Sequence, residues 1–240
     1  MSGVPERAVV LAGGLGTRLA PYTTVFPKPL MPVAGRPVLE LVLRRLRRQG
    51  VKRVTLAVSY LEELIRAFFG DGSRFGVELD YYREEQMLGT AGVLSVLTDL
   101  PDPVLLINGD VLSTSDLAAM EALHRAKKSA MTVATHRRTQ PVDYGVLDIG
   151  PDGEITAYRE KPPLDYAVSI GVNLVGARAR ALMKAGERCD VPTLVMRLLE
   201  RGERVTAFQT EDYWRDIGRP DDYEAANVEF PSIAADFDLA

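Results

Sequence analysis

The first half of the chain alternates short apolar runs with amphipathic stretches. Residues 8–12 (AVVLA) end at paired glycines and predict a buried strand. Residues 38–48 carry apolar positions at helical spacing, and Gly50 ends them. Residues 54–58 read as the next strand, 61–69 as a helix closed by Gly70-Asp71-Gly72, and 78–82 as a strand. A short helix is predicted over 90–97 and a third buried strand over 104–107. Ser115 opens a helix through Arg125, with Asp116 favourable in its first turn. This βαβα order predicts a Rossmann-like α/β fold: a mixed, mainly parallel sheet flanked by helices.

Beyond Ala130 the strands become consecutive: 130–136, 145–149 and 155–160, the last two joined by a turn at Pro151-Asp152-Gly153. A strand at 169–175, helices at 177–185 and 192–200, a strand at 205–209 and a helix at 221–229 behind Pro220 complete the pattern. The chain therefore reads as one domain over residues 1–230, with halves meeting near 130, the second smaller and β-rich. Residues 231–240 read as a loosely held tail.

Composition narrows this picture. Of 240 residues, 46% are apolar and 26% charged, so the chain can bury a core and whole-chain disorder is excluded. The net charge of −4 gives no electrostatic footprint for nucleic acid or an anionic membrane. Phosphate, if bound, must be held by a few placed cations. The single cysteine, Cys189, excludes an intrachain disulfide and a Cys-rich zinc site, and reads as packing. His124 and His136, on a predicted helix and a predicted strand, match no metal-ligand spacing. The run Arg44, Arg45, Arg47, Arg48 interleaves with Val42, Leu43 and Leu46 near a helix C-terminus, where cations suit the dipole. No apolar run approaches a membrane span and the first residues lack a signal-peptide pattern, so a cytoplasmic location is expected.

The candidate chemistry begins at the glycine-rich turn Leu11-Ala12-Gly13-Gly14-Leu15-Gly16-Thr17-Arg18-Leu19. Glycines let the backbone approach a ligand, and successive N–H groups can cradle phosphate oxygens. The dinucleotide fingerprint fails, because Leu19 stands where its third glycine belongs. The ATPase P-loop also fails, for want of Gly-Lys-Ser/Thr. A plain tight turn would not explain Arg18 or the following Phe26-Pro27-Lys28-Pro29. Prolines on both sides of Lys28 predict an extended, stiff segment presenting one cation. Arg18 and Lys28 together suit a polyphosphate.

Gly-Gly-Leu-Gly-Thr-Arg-Leu followed by Phe-Pro-Lys-Pro resembles the signature of the sugar-1-phosphate nucleotidylyltransferases. Leu88-Gly89-Thr90-Ala91-Gly92 is similar to that family's base-side loop, and Asn108-Gly109-Asp110 to its metal-binding strand end. Asp143-Tyr144-Gly145 and Glu160-Lys161-Pro162 resemble its sugar-side elements. Tyr213-Trp214-Arg215-Asp216-Ile217-Gly218 resembles its second metal-binding segment. The resemblance spans residues 8–230, in the family's order.

It implies attack of a sugar 1-phosphate on the α-phosphorus of a nucleoside triphosphate, giving a nucleotide sugar and pyrophosphate. A phosphate nucleophile is already an anion, so no general base is needed, and cations with a metal supply the catalysis. By resemblance, Arg18 and Lys28 are catalytic and Asp110 and Asp216 hold Mg²⁺. Leu11, Ala12, Gly13, Gly14, Gly16, Thr17, Glu85, Gly89, Thr90, Asn108 and Gly109 bind the nucleotide. Tyr144, Gly145, Glu160, Lys161 and Ser169 bind the sugar phosphate. The nucleotide half is then about 1–130 and the sugar-side half about 131–230. Trp214 reads as packing.

Glu84 and Glu85 precede the base-side loop. A carboxylate matches the paired N–H donors of guanine, so Glu85 points to GTP and a likeness to mannose- and heptose-1-phosphate guanylyltransferases, with uridylyl, thymidylyl, cytidylyl or adenylyl transfer as alternatives. Many relatives carry asparagine where this chain has Ser169, which opens the assignment to a heptose, an octose or a cyclitol phosphate. A glycosyltransferase and a non-catalytic regulatory paralogue are the rival readings; Arg18 with Lys28 opposes the first, and the intact cation and carboxylate set the second. A homodimer is expected.

Overall fold

A computed structural model describes residues 3–239. Its centre is a seven-stranded sheet. In chain order the strands are β1 (Arg7–Leu11), β2 (Arg53–Val58), β3 (Glu78–Arg83), β4 (Val104–Asn108), β5 (Met131–Pro141), β6 (Pro163–Val175) and β7 (Val205–Thr210). Across the sheet they run β7-β5-β6-β4-β1-β2-β3. β3, β2, β1 and β4 run parallel to one another, β6 is antiparallel to both β4 and β5, and β7 runs parallel to β5. The expected mixed, mainly parallel sheet is thus present.

Both faces are covered, and the apolar runs show why. Along β1, Ala8 and Val10 join one core cluster, while Val9 joins the other. The first cluster packs under α1 (Val38–Arg48), through Leu39, Val42, Leu43 and Leu46. The helices α2 (Glu62–Phe69), α3 (Gly89–Gly92), α4 (Leu117–Lys127), α5 (Ala177–Arg180), α6 (Val191–Glu200) and α7 (Pro220–Glu229) follow. On the opposite face Leu194 and Leu198 of α6 meet Val9, Leu106 and Val175.

Several boundaries differ from the sequence reading. Asp116, not Ser115, caps α4, accepting from the N–H groups of Ala118 and Ala119; the Ser115 hydroxyl is buried against Ser113. The helix expected over 90–97 breaks into α3 and a 3-10 turn, and that expected over 177–185 ends at Arg180. The strand expected from 169 begins at Pro163, because it pairs with β5 out to Pro141 and so forms a projecting arm. The segment around Lys28 is not extended throughout: Lys28–Leu30 is a 3-10 turn in which Leu30 and Met31 donate to the carbonyls of Pro27 and Lys28. Those two bonds outweigh the bias that a following proline exerts on Lys28.

The C-terminal stretch is held, not loose. Residues 230–232 and 234–237 form 3-10 turns, and Phe237 is buried against Phe230. The arginine run of α1 does the holding: Arg48 donates to the carbonyl of Ala235, Arg45 faces Asp236 and Arg47 pairs with Asp238. Met1, Ser2 and Ala240, the ends of the chain in the readings above, lie outside the described residues.

Candidate active site

Parallel sheets bind ligands at the carboxyl ends of their strands, where successive connections leave in opposite directions. Here that point lies between β1 and β4, whose last residues, Leu11 and Asn108, are side by side. The glycine-rich turn leaves β1 at this place, and Asn108-Gly109-Asp110 leaves β4. Gly109 donates to the carbonyl of Leu11, which ties the two ends together. A methyl on Gly109 would press on that carbonyl at 2.8 Å, so glycine is required for the close approach.

A cleft of about 240 Å³ opens above the junction. It is lined by Leu11, Ala12, Gly14, Gly16, Thr17, Arg18, Lys28, Gly109, Asp110 and Gly218, which gathers most of the triphosphate set expected from the sequence. Gly13 is buried beside it, against Ser59 and Glu84. Gly16 has a φ of 63°, and its carbonyl accepts from the Thr23 hydroxyl at 2.7 Å, which folds the turn down over the Lys28 segment.

Lys28 is the centre of the charge arrangement. Its side chain is buried, its ammonium pairs with Asp110, and it lies 4.0 Å from Asp216. Arg18, exposed at the rim, is 3.7 Å from the other oxygen of Asp216. Burial pushes the Lys28 ammonium down to about 8; Asp216 opposes that shift and Arg18 adds to it. Two cations and two carboxylates therefore share one cleft wall.

The late arrival of Asp216 has a structural cause that sequence reading did not foresee. Residues Val111–Ser113 and Trp214–Asp216 form a two-stranded antiparallel ribbon outside the main sheet, with Asp216 opposite Val111. Ile217 then donates to the carbonyl of Asp110 at 2.9 Å, and the Gly218 N–H to the carboxylate of Asp216 at 2.9 Å. Among the described residues no cluster of three or more His, Cys, Asp or Glu could hold a metal by itself. The donor set still fits Mg²⁺, which takes one or two carboxylates and completes its shell with phosphate oxygens and water.

The remaining predicted residues fall elsewhere. Gly89 and Thr90 are tied to the foot of α6: Thr90 receives a bond from the N–H of Val191 at 2.8 Å and gives one to Asp190 at 3.0 Å. Thr90, Asn108 and Ser169 line a second, larger chamber of about 640 Å³ on the α6 face of the sheet. Asn108 lies between the chamber and Gly109-Asp110 of the first cleft, so one strand end serves both. Tyr144, Gly145, Glu160 and Lys161 lie on the projecting arm, at the edges of a hairpin formed by Val146–Ile149 and Ile155–Arg159. Tyr144, Glu160 and Lys161 are exposed, Glu160 accepts from the hydroxyl of Tyr158, and none of the four lines either chamber.

Glu85 is exposed, whereas Glu84 is half-buried and directed at the glycine turn: a methyl on Gly13 would meet its carboxylate at 3.3 Å. Burial pushes the Glu84 carboxyl up, against a bond from the N–H of Leu88. Adjacent identical residues cannot be ranked from sequence; the end of β3 decides which one turns inward. Trp214 packs as expected, between His136 and the guanidinium of Arg138. Cys189 is buried, and burial raises its thiol pKa, in keeping with a packing role.

Residues 7–232 match the nucleotidyl transferase family. The chain belongs to that family. It is 35% identical over 90% of its length to a mannose-1-phosphate guanylyltransferase of Mycobacterium tuberculosis. It is 31% identical over 95% of its length to a UTP–glucose-1-phosphate uridylyltransferase of Synechocystis. The family member described here spans 62% and 66% of the lengths of those two relatives. Its fold superimposes on that of HddC from Yersinia pseudotuberculosis with a TM-score of 0.69, at 26% identity, covering 93% of this chain and 99% of that one. HddC has also been solved in complex with GMP-PN. No helix among the described residues is long and apolar enough to cross a membrane.

Proposed function

We propose that the chain transfers a nucleotidyl group from a nucleoside triphosphate to a sugar 1-phosphate, releasing pyrophosphate. The observation that carries this reading is the buried Lys28, set between Asp110 and Asp216 under a glycine turn bearing Arg18. In this reading an oxygen of the sugar phosphate forms a bond to the α-phosphorus, and the bond from that phosphorus to the bridging oxygen breaks. The electron pair leaves with pyrophosphate. Lys28 and Arg18 neutralise the triphosphate and the departing charge. Asp110 and Asp216 would hold Mg²⁺, which when bound supplies charge neutralisation beside the α-phosphate. No side chain need take a proton, in keeping with two histidines engaged elsewhere, His124 hydrogen-bonded to Thr132 and His136 packed on Trp214.

GTP is the favoured triphosphate. Glu84, at the inner end of the base-side loop, is the carboxylate placed to accept from guanine, a reading supported by the guanylyltransferase relative and by the GMP-PN complex of HddC. The enzyme is proposed to work in the cytoplasm and as a homodimer. The decisive experiment incubates the protein with each triphosphate, a set of sugar 1-phosphates and Mg²⁺, and follows pyrophosphate. Release with GTP above UTP supports the whole reading; release with UTP alone moves it to uridylyl transfer; no release with any pair removes it.

A further inference from the structure

The second chamber holds an unpaired polar group in an apolar surround. Asn173 stands in the middle of a row that crosses the sheet: Val9 on β1, Leu106 on β4, Asn173 on β6, Val133 on β5 and Ala207 on β7 are successive partners. The other four of these are apolar, and beyond Val9 the row continues through Thr55 and Asp80 at the far side of the sheet. Asn173 is only 2% exposed and lines the chamber, and its buried Oδ1 has no hydrogen-bond partner among the described residues. A buried amide without a partner is destabilising, so its presence in a sheet centre calls for a ligand that satisfies it.

The chamber around it is apolar. Val133, Val191, Val195, Met196, Leu199 and Ala207 form much of the wall, and no charged side chain lines it. At about 640 Å³ it has the size and character of a small-molecule pocket: mainly apolar, with a few placed polar groups. Besides Thr90 and Thr206, those groups are Asn108, Ser169 and Asn173, which lie along β4 and β6, starting at the strand end that leads to Asp110. Gly171, between the last two, has a φ of 76°, and a methyl there would meet the amide of Asn108 at 2.6 Å. The bulge at Gly171 thus keeps the chamber open toward Asn108.

Resting on the nucleotidyl-transfer reading, we propose that the chamber takes the end of the acceptor remote from its phosphate and that Asn173 reads it. The acceptor class is then a sugar or cyclitol 1-phosphate whose far end is partly apolar, bearing a deoxy carbon, an alkyl group or a ring double bond. One hydroxyl or N–H on that end donates to Asn173 Oδ1. A fully hydroxylated hexose end would set its extra hydroxyl against Val195 and Met196, whose apolar side chains offer it no partner.

Matched acceptors test this: mannose 1-phosphate against 6-deoxymannose 1-phosphate, and glucose 1-phosphate against 6-deoxyglucose 1-phosphate, with pyrophosphate release as the readout. The deoxy member of each pair should have the higher kcat/KM by ~10-fold or more, the scale on which an apolar pocket resists an added hydroxyl. Asn173→Leu, close in shape, should lower kcat/KM for the better acceptor by ~10-fold or more while leaving the KM for the triphosphate unchanged. Met196→Gln, at a wall position that is 56% exposed and so tolerant of a polar side chain, should narrow the deoxy preference several-fold. Preference for the hydroxylated hexoses, or equal loss on every acceptor in both variants, overturns the proposal while leaving nucleotidyl transfer intact. Should no pair release pyrophosphate, thermal melting with the same acceptors decides. Stabilisation of the wild type but not of Asn173→Leu keeps the chamber and removes the transfer reading, whereas no stabilisation removes both.

Discussion

Gly218→Ala tests the charge arrangement with a single methyl group. The Cβ would lie against the ammonium of Lys28, 2.9 Å from Asp216 Oδ1 and 3.0 Å from Arg18 Nη2. The first two are nearer than real Cβ contacts allow and the third is tight, so Lys28 and Asp216 must shift and Arg18 must give way slightly. Gly218 does not have a positive φ, so the backbone accepts alanine without strain and the effect falls on the site. A displacement near 1 Å of groups that must meet the transferring phosphate costs ~10²-fold in rate. Loss of one cationic contact in the transition state adds ~10-fold or more. Turnover should therefore fall by ~10³ in a pyrophosphate-release assay with saturating substrates, while the melting temperature moves by only a few degrees. Full activity in this variant, or loss of activity only in step with loss of the fold, would refute the placement of Lys28, Arg18 and Asp216 around one phosphate.

Asp110→Asn and Lys28→Ala should each lower kcat by ~10³ or more in steady-state assays with Mg²⁺, the range for removing charge stabilisers of phosphoryl transfer, and near-normal turnover in either would remove that residue from the mechanism. Glu84→Gln should shrink the GTP over UTP preference ~10-fold, measured as the ratio of kcat/KM values, whereas Glu85→Gln should leave it unchanged. The same variant carries a pH signature. The Glu84 carboxyl is raised above its ordinary 4.5, so the folded protein binds its proton more tightly and loses stability as pH rises from 4.5 through the raised value. Glu84→Gln should accordingly melt higher than wild type at pH 7 and lose that advantage below pH ~4. Phe237→Ala should cost about 3–5 kcal/mol in urea unfolding, because the side chain is 1% exposed and the void beneath it cannot refill; a change within experimental error would mean that the C-terminal turns are not part of the core.

The sheet was legible because β1, β2 and β4 are short, largely apolar runs closed by glycine or by a polar turn, and buried parallel strands leave that signature. The first cleft was legible for a different reason: its glycine turn and Asp110 are fixed by local backbone at strand ends, and Lys28 by a short turn between two prolines. Three features were not. The ribbon carrying Asp216 is too short to show a periodicity, and pairing with Val111–Ser113 defines it. The inward turn of Glu84 depends on where β3 ends against β2. Asn173 sits in Ser169-Ile170-Gly171-Val172-Asn173, where the alternation reads as an ordinary half-polar strand; only the bulge at Gly171 and the cover of α6 reveal that its face is buried. The tail was misjudged because its anchors are arginines that seemed fully accounted for as helix-terminal cations.

The second carboxylate reaches the cleft on a ribbon outside the main sheet, and the ribbon is clamped in turn by the two-pronged pairing of Arg215 with Glu229 at the end of α7. The cleft therefore matures in stages. A nascent chain that has exposed β1, β4 and Asp110 holds the glycine turn, Lys28 and the first carboxylate, yet it lacks Asp216 until about a hundred further residues have followed. The same order runs backward in the folded protein: fraying of α7 would release Asp216 while the sheet stays intact, so the proposed Mg²⁺ site would be lost by local opening long before the molecule unfolds.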